Sequence, residues 1–425
     1  MFERARGTRD FGPADMGRRL AFERLCDQVA ARCGFARVAT PTFERLELFT
    51  AKSGDAIVDQ LYAFKDRSDR DLTLRPELTA PVMRMVAEQG GQMAKPARWC
   101  YYGPCFRYEE SKVGRYREFW QYGCEIIGAS GPLTEAEVVG FACSILDAAG
   151  LVDWELRVGN VGVLKDVLSG LALEGAAVGD AMRLLDKGDF DALAALGIDA
   201  AGTELLRALA GLEGGAEAIP RARDILTGMG ITTSSLDDLE QMLDALSALA
   251  PAPPSLTVDF TVARGLDYYT GMVFEIDVAE LGGEGQVCGG GSYNLLHLFG
   301  LEDLDPCCGF GLGFDRVLMN AALQHFSKAE FRDLLVRLKT MTAPGARLLF
   351  AFVPDAARRD AFDRRLNPGL RLRLRRLLGR DLVTHWYGAD EVRAICADLG
   401  LSARFTDADP AIAGAWYRHD ILIER

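Results

Sequence analysis

The chain has 425 residues and a formal net charge of −13, an acidic balance that excludes indiscriminate nucleic-acid binding by the whole surface but not by a local basic patch. With 49% apolar residues and 45 glycines it reads as a globular enzyme of two or three domains, and no run reaches the ~18 apolar residues of a membrane span. Ten cysteines without a close CxxC pair, four histidines outside any motif and an opening without a signal-peptide pattern exclude a structural zinc site and lead to the expectation of a cytoplasmic protein with reduced thiols.

In chain order, Phe2–Met16 is a loop punctuated by Gly7 and Gly12-Pro13. Leu20, Phe22, Leu25, Val29 and Ala30 recur at helical spacing, so Met16–Cys33 is a predicted helix stopped by Gly34. A short strand, Phe35–Pro41, follows, then a turn or short helix, Thr42–Phe49. A hairpin is predicted around the polar turn Asp66–Asp71. Arg75-Pro76-Glu77 closes its second strand, and a helix begins at Leu78 or Thr79 with Pro81 in its first turn, where proline is tolerated. Glu77 and Thr79 therefore stand at a strand-to-helix junction, a common place for ligand contacts.

The central stretch YYGPCFRYEESKVGRYREFWQYGCEIIG, Tyr101–Gly128, reads as two antiparallel strands, Trp99–Glu109 and Arg117–Ile127, joined by a charged loop. A strand face carrying arginine, glutamate and glutamine is a floor for a charged ligand rather than an apolar core. Thr134–Ala149 is a predicted helix and Trp154–Val158 a strand. From Asn160 to Leu249 the pattern turns to leucine- and alanine-rich helices, broken at Gly214-Gly215 and Gly228–Gly230, with exit at the proline-rich Pro251–Pro254. Thr257–Val278 returns to strands, and Gly289–Gly291 leads into Ser292-Tyr293-Asn294. Gly309, Gly311 and Gly313 alternate along a strand that enters a helix at Asp315. After a linker at Met341–Gly345, the tail shows a strand at Arg347–Val353, an arginine-rich helix, a helix at Ala389–Leu399 and two late strands.

Arg107, Arg264 and Arg316 lie in three separate segments, each beside glycines or aromatics. Arginine is permanently charged and presents a planar fork of donors, so a converging set suits a triphosphate whose charge shifts during attack at the α-phosphorus. The alternative is three unrelated surface or salt-bridged arginines. Glu77, Gln121, Glu125, Tyr268, Tyr269 and Tyr293 would suit an α-ammonium group or an imidazole N–H. Tyr268 and Tyr269 are equally readable as core and rim neighbours on alternate strand faces. The alternating glycines would let a flat base lie on bare backbone, or serve close packing alone. There is no GxxxxGK[ST], so a nucleotide would not be held by a P-loop, and no Ser/His/Asp or Cys/His arrangement stands out.

These segments together carry a resemblance. FRYEE…GRYREFWQYGCEIIG resembles motif 2 of class II aminoacyl-tRNA synthetases, GFGLGFDRV resembles motif 3, and CGFARVATP resembles motif 1. RGTRDFGP, LRPELTAP, ARGLDYYTGMVFE and CGGGSYN are similar to segments particular to the histidyl-tRNA synthetase family. The likeness covers residues 1–325 and keeps the family's motif order. It implies an α+β fold: an antiparallel sheet of six or seven strands flanked by helices, with a helical insertion. Residues 1–159 and 251–339 would form the catalytic core, 160–250 the insertion, and 346–425 a small α/β tail.

The resemblance further implies a homodimer through motif 1, and histidine, ATP and Mg2+ as reactants, giving histidyl-adenylate and then histidyl-tRNA(His). Carried over by position, Arg107 and Arg316 would hold the α- and γ-phosphates, Glu109 the adenine side, and Arg115 and Arg117 phosphate from the motif 2 loop. Arg264 would bridge substrate carboxylate and α-phosphate. Glu77, Thr79, Gln121, Glu125, Tyr268, Tyr269 and Tyr293 would form the histidine pocket. No resident metal site is implied. Departures from the family pattern are Ser111-Lys112, Ser292, Asn294 and Asp315, the last replacing a glutamate.

Residues 346–425 do not resemble the family's anticodon-binding domain. Their own feature is the arginine-rich segment 358–380, where Arg371, Arg373 and Arg375 alternate with leucine. It reads as a contact for RNA phosphates, for a partner protein, or as a solvated helix face. Two other activities share such a core. One is a non-catalytic, histidine-sensing regulatory subunit of ATP phosphoribosyltransferase. The other is an adenylating paralogue that passes the amino acid to an acceptor other than tRNA.

Overall fold

The computed structural model describes residues 3–53, 55–89, 93–109, 116–151, 154–186, 188–231, 233–250, 252–261, 269–278, 285–321, 332, 335, 336, 339, 347–354, 388–407 and 418–424. Arg115, Arg264, Tyr268 and the arginine-rich segment 358–380 lie outside them. Two compact units are present. The first comprises Met1–Ile145, Glu155–Asp277 and Gln286–Arg316, and the second Leu146–Trp154, Val278–Gly285 and Val317–Arg425.

The first unit opens with helix α1 (Pro13–Arg32), which has proline at its start and the Asp15 carboxylate accepting the Gly12 N–H. Gly34, at φ +77°, turns the chain out of it as the glycine there predicts. Short strands β1 (Ala36–Arg37) and β2 (Phe43–Arg45) lead through helix α2 (Glu47–Ser53) to β3 (Tyr62–Lys65) and β4 (Asp71–Leu74). Strands β2, β4 and β3 form a small antiparallel sheet in that order. Helix α3 (Thr79–Glu88) starts where the Glu77 carboxylate accepts the N–H groups of Thr79 and Ala80, neutralising two orphan donors of its first turn.

The central hairpin is β5 (Ala97–Phe106) and β6 (Glu118–Ile127), paired from Ala97↔Ile127 to Phe106↔Glu118. Its first strand ends three residues before the sequence-based boundary: beyond Phe106 the ladder gives way to a single Arg107 N–H···O=C Arg117 bond. Helix α4 (Pro132–Ala148) follows, then β7 (Glu155–Asn160) and five helices: α5 (Val161–Gly170), α6 (Ala176–Asp186), α7 (Ala200–Ala210), α8 (Ala218–Gly228) and α9 (Ser235–Leu249). Asn160 caps α5 and Asp199 caps α7 through their side-chain oxygens. Leu205, Leu206 and Leu209, with Leu239, Met242, Leu243 and Leu246, supply buried helix faces, so the leucine-rich pattern is packing. Strands β8 (Ser255–Val258), β9 (Tyr269–Asp277), β10 (Gln286–Tyr293) and β11 (Cys307–Gly313) lead into helix α10 (Phe314–Ala321).

The large sheet has eight strands in the order β1-β5-β6-β11-β10-β9-β7-β8. Its interior is antiparallel, as expected, while the two short edge strands, β1 and β8, pair in parallel. The count exceeds the six or seven that the resemblance implies, and of the predicted strand Phe35–Pro41 only Ala36–Arg37 pairs into the sheet. Strand alternation sorts the sheet into two faces. Tyr122, Cys124 and Ile126 of β6 and Phe310 of β11 face the helices. There Phe141 of α4 stacks on Phe35 at 4.8 Å and meets Phe310 edge-on at 5.4 Å. Gln121, Glu125, Gly309, Gly311 and Gly313 occupy the opposite face, on which the candidate site is built.

In the second unit, β12 (Arg347–Pro354), β14 (Arg418–Glu424) and β13 (Ser402–Asp407) form an antiparallel sheet in that order, with helix α11 (Ala389–Asp398) preceding β13. Its core contains Leu335, Val392, Cys396, Leu401, Ile421 and Ile423.

Candidate active site

A cavity of about 440 Å³ opens on the glycine-bearing face of the large sheet, entirely within the first unit. Its floor is laid by the pairing of β6, β11 and β10, which sets Gln121 opposite Gly313 and Gly311 opposite Gly289. The missing side chain is a spatial requirement at Gly309 but not at Gly311. A Cβ at Gly309 would overlap the Glu125 carboxylate, and one at Gly311 would stand 3.6 Å from Gln121 Nε2. The first alternating glycine thus makes room for an acid, and the other two leave bare backbone at the cavity.

At one end the cavity is polar. Glu77, Thr79, Gln121, Tyr269 and Tyr293 line it, as does Tyr101, which the sequence reading passed over. Tyr101 lies across Gly123, the residue paired with it on β6, where any side chain would collide with its ring. A glycine opposite a tyrosine in the predicted hairpin was the available signal.

Glu125 is fully buried beneath this end and does not line the cavity. Its two oxygens accept the hydroxyls of Tyr101, at 2.8 Å, and of Tyr293. Burial drives its pKa up to about 7, against the pull of the Tyr293, Tyr101 and Thr79 hydroxyls. The same burial, and the neighbouring Glu125 charge, push Tyr101 and Tyr293 well above the usual phenol range. Both phenols therefore stay protonated and donate to the carboxylate, which leaves their oxygen lone pairs to accept from a ligand N–H. Cys105, its pKa raised to about 12 by burial, also keeps its proton and donates to Gln121 Oε1 at 3.2 Å.

At the other end two cationic side chains from distant segments line the same cavity. Arg107 follows β5, donates from Nε to the Pro76 carbonyl at 3.1 Å, and lies 5.3 Å from the Phe119 ring centre. Arg316, in the first turn of α10, donates to the Gln286 carbonyl. Glu109 also lines the cavity, and its carbonyl accepts Arg117 Nε at 3.1 Å. Arg117 itself lies outside the lining, 4.2 Å from the Tyr108 ring centre. The structure therefore brings Arg107, Glu109 and Arg316 together with Glu77, Thr79, Gln121, Tyr269 and Tyr293. It sets Glu125 one layer behind and Arg117 to the side.

Asp315, noted in the sequence only as a departure, proves to be an anchor. Its carboxylate accepts the Trp120 N–H at 3.0 Å and forms ion pairs with Arg9, at 2.9 Å, and Arg19. Chemically, one end of the cavity offers hydroxyl, amide and carboxylate groups to a small polar molecule. The other offers guanidinium groups and an aromatic face. Two substrates, one anionic and extended, fit this division. Among the described residues no cluster of histidine, cysteine or acidic side chains could hold a metal ion.

The family model described as histidyl-tRNA synthetase matches residues 7–317 of this chain. A histidine--tRNA ligase from Archaeoglobus fulgidus is 46% identical over 323 residues, which is 74% of this chain and 75% of that protein. One from Methanosarcina acetivorans is 44% identical, covering 74% of each. Among solved structures, an ATP phosphoribosyltransferase regulatory subunit/histidyl-tRNA synthetase from Bacillus halodurans aligns with a TM-score of 0.66 and 26% identity, over 80% of this chain and 90% of that one. The histidyl-tRNA synthetase of Nostoc sp. PCC 7120 shares the fold, with a TM-score of 0.65 and 18% identity over 95% of this chain and 94% of its own.

Proposed function

This chain belongs to the histidyl-tRNA synthetase family, and from that premise we propose that it is an ATP-dependent ligase. It activates histidine to histidyl-adenylate with release of pyrophosphate, then transfers the histidyl group to tRNA. The observation that carries this reading is the arrival of Arg107 and Arg316, from separate motifs, in one cavity whose far end is lined by Glu77, Thr79, Gln121 and two tyrosines.

In the first step a histidine carboxylate oxygen attacks the α-phosphorus of ATP. A new O–P bond forms, the bond to the bridging β-phosphate oxygen breaks, and pyrophosphate leaves. No protein nucleophile is required, so the chain acts by positioning and charge. Arg107 neutralises negative charge on the α-phosphate, and Arg316 holds the γ-phosphate end. Arg264 is assigned the bridge between carboxylate and α-phosphate, and Arg115 and Arg117 hold phosphate from the loop. Glu109 takes the adenine side. Mg2+ would ride on the phosphates, which suits an ion bound mainly by substrate oxygens and water. Glu77 and Thr79 receive the α-ammonium group, while Tyr101 and Tyr293, oriented by Glu125, accept an imidazole N–H. Gln121, Tyr268 and Tyr269 complete the histidine pocket.

We also infer a homodimer formed through the motif 1 region, supported by the exposed Phe43 and Phe64 on the small sheet. The acceptor is tRNA(His), the place of action the cytoplasm, and segment 358–380 a contact for RNA or a partner protein. No helix among the described residues is long and apolar enough to cross a membrane. The regulatory and non-tRNA readings are less favoured, because curated relatives from 40% to 46% identity carry the ligase name. Histidine-dependent ATP–pyrophosphate exchange, followed by charging of a tRNA(His) transcript, tests the proposal. Exchange without charging would remove the tRNA step; no exchange would remove the enzyme.

A further inference from the structure

The N-terminal arm packs behind two residues of the cavity wall, Tyr116 and Asp315, to which the reaction above gives no role. The Gly7 carbonyl accepts the Arg117 N–H at 2.8 Å. Gly7 has φ +82°, and a Cβ there would lie 2.7 Å from Arg117 Cγ, so only glycine lets the arm lie this close. Two residues on, the Arg9 guanidinium sits 3.6 Å from the Tyr116 ring centre and 2.9 Å from Asp315 Oδ2. Its side chain is 18% exposed, and its Nε is buried with no hydrogen-bond partner among the described residues. A guanidinium so desolvated interacts strongly with a ring face and a carboxylate.

Tyr116 and Asp315 both line the cavity, and Arg9 does not. Tyr116 stands where the chain returns from the motif 2 loop toward β6, and Asp315 immediately precedes Arg316. Arg9 thus joins the two segments that frame the phosphate end, although they lie about two hundred residues apart in sequence. Arg19, the other cation on Asp315, shares the Phe11 ring with Arg9 but otherwise faces Trp120 and Phe314 and not Tyr116.

We infer that Arg9 is a positioning residue for the nucleotide. Acting through Tyr116 and Asp315, it fixes the return of the loop relative to the helix start that carries Arg316. This rests on the reading of the cavity as the ATP site.

The test measures exchange while varying ATP at saturating histidine and histidine at saturating ATP, with thermal melts on every protein. Arg9→Ala is expected to raise KM for ATP by about tenfold while KM for histidine stays within about twofold. Arg9→Lys keeps a charge for Asp315 but loses the flat face on Tyr116, and should fall between. Tyr116→Ala should raise KM for ATP too, with the double variant less than additive. KM for ATP unchanged in a well-folded Arg9→Ala protein would overturn the inference, as would both KM values rising together with a lower melting temperature. If Arg9→Ala does not fold, an unchanged KM for ATP in both Arg9→Lys and Tyr116→Ala overturns it. A wild type without exchange would contradict the functional reading alone, provided a non-hydrolysable ATP analogue still binds tightly and Arg9→Lys or Tyr116→Ala weakens it. Absence of analogue binding would overturn both.

Discussion

The two ends of the cavity are built by different means. The end assigned to the amino acid grows out of strand register: Tyr101 lies over Gly123, Glu125 fills the space left by Gly309, and both tyrosine hydroxyls close onto that acid. Its polar groups are paired with one another before any ligand arrives, which favours a single geometry and hence discrimination. The end assigned to phosphate carries Arg107, just past β5, and Arg316, in the first turn of α10. Arg107 and Arg316 each donate to a backbone carbonyl, which orients the guanidinium. Under the proposed reaction a polyphosphate would meet preoriented positive charge there, and such charge is worth most in the transition state. Specificity and rate are therefore expected to be separable by substitution.

The largest effect should come from the phosphate end. Arg107→Ala is expected to lower kcat for exchange by about 10³-fold or more, with KM for histidine nearly unchanged, because a group acting on transition-state charge affects rate above all. Equal losses in kcat and in histidine affinity would break the division between the two ends.

At the amino-acid end, Glu125→Gln should raise KM for histidine by about tenfold or more while leaving KM for ATP near wild type, since the amide cannot accept both hydroxyls. It should also change the pH dependence of stability. Glu125 has its pKa raised from the ordinary 4.5 to about 7 in the folded protein. Below 4.5 both folded and unfolded states carry the proton, so stability is unaffected there. Between 4.5 and 7 the folded state binds more protons, so stability falls as pH rises, by on the order of 3 kcal/mol across that window. Chemical denaturation between pH 5 and pH 7.5 should show this decline in the wild type and a shallower one in Glu125→Gln. Parallel profiles would show that Glu125 does not titrate there.

Gly309→Ala sets a methyl group against the Glu125 carboxylate and should cost about 2 kcal/mol of stability, seen as a lower denaturation midpoint, and weaken histidine binding. The smallest effect is expected from Cys105→Ser, which keeps a donor for Gln121. Its KM for histidine should stay within about threefold of wild type, with Cys105→Val further away for want of a donor.

Much of this was legible in the sequence because the hairpin, the alternating glycines and the strand-to-helix junctions are local patterns. Arg107, Arg316, Gln121, Tyr269 and Tyr293 were reachable that way. What escaped depends on register and distance. Glu125 alternates onto the same strand face as Gln121, yet only the pairing with Gly309 sets it behind the wall. Tyr101 sits in a run of aromatic residues with no local signal of its own, and what marks it out is the bond from its hydroxyl to that acid. The Arg19–Asp315 contact joins residues 296 positions apart, beyond the reach of any spacing rule. The strand predicted at Phe35–Pro41 is present but only Ala36–Arg37 pairs, because β5 offers it just two partners, Trp99 and Cys100.

The most direct measurement is histidine-dependent ATP–pyrophosphate exchange by wild type and Arg316→Ala side by side, with histidine binding measured on both. Vigorous exchange by the wild type, a drop of about 10²-fold or more in the variant and equal histidine binding are expected. A variant that exchanges as fast as the wild type would contradict a guanidinium clamp on the nucleotide.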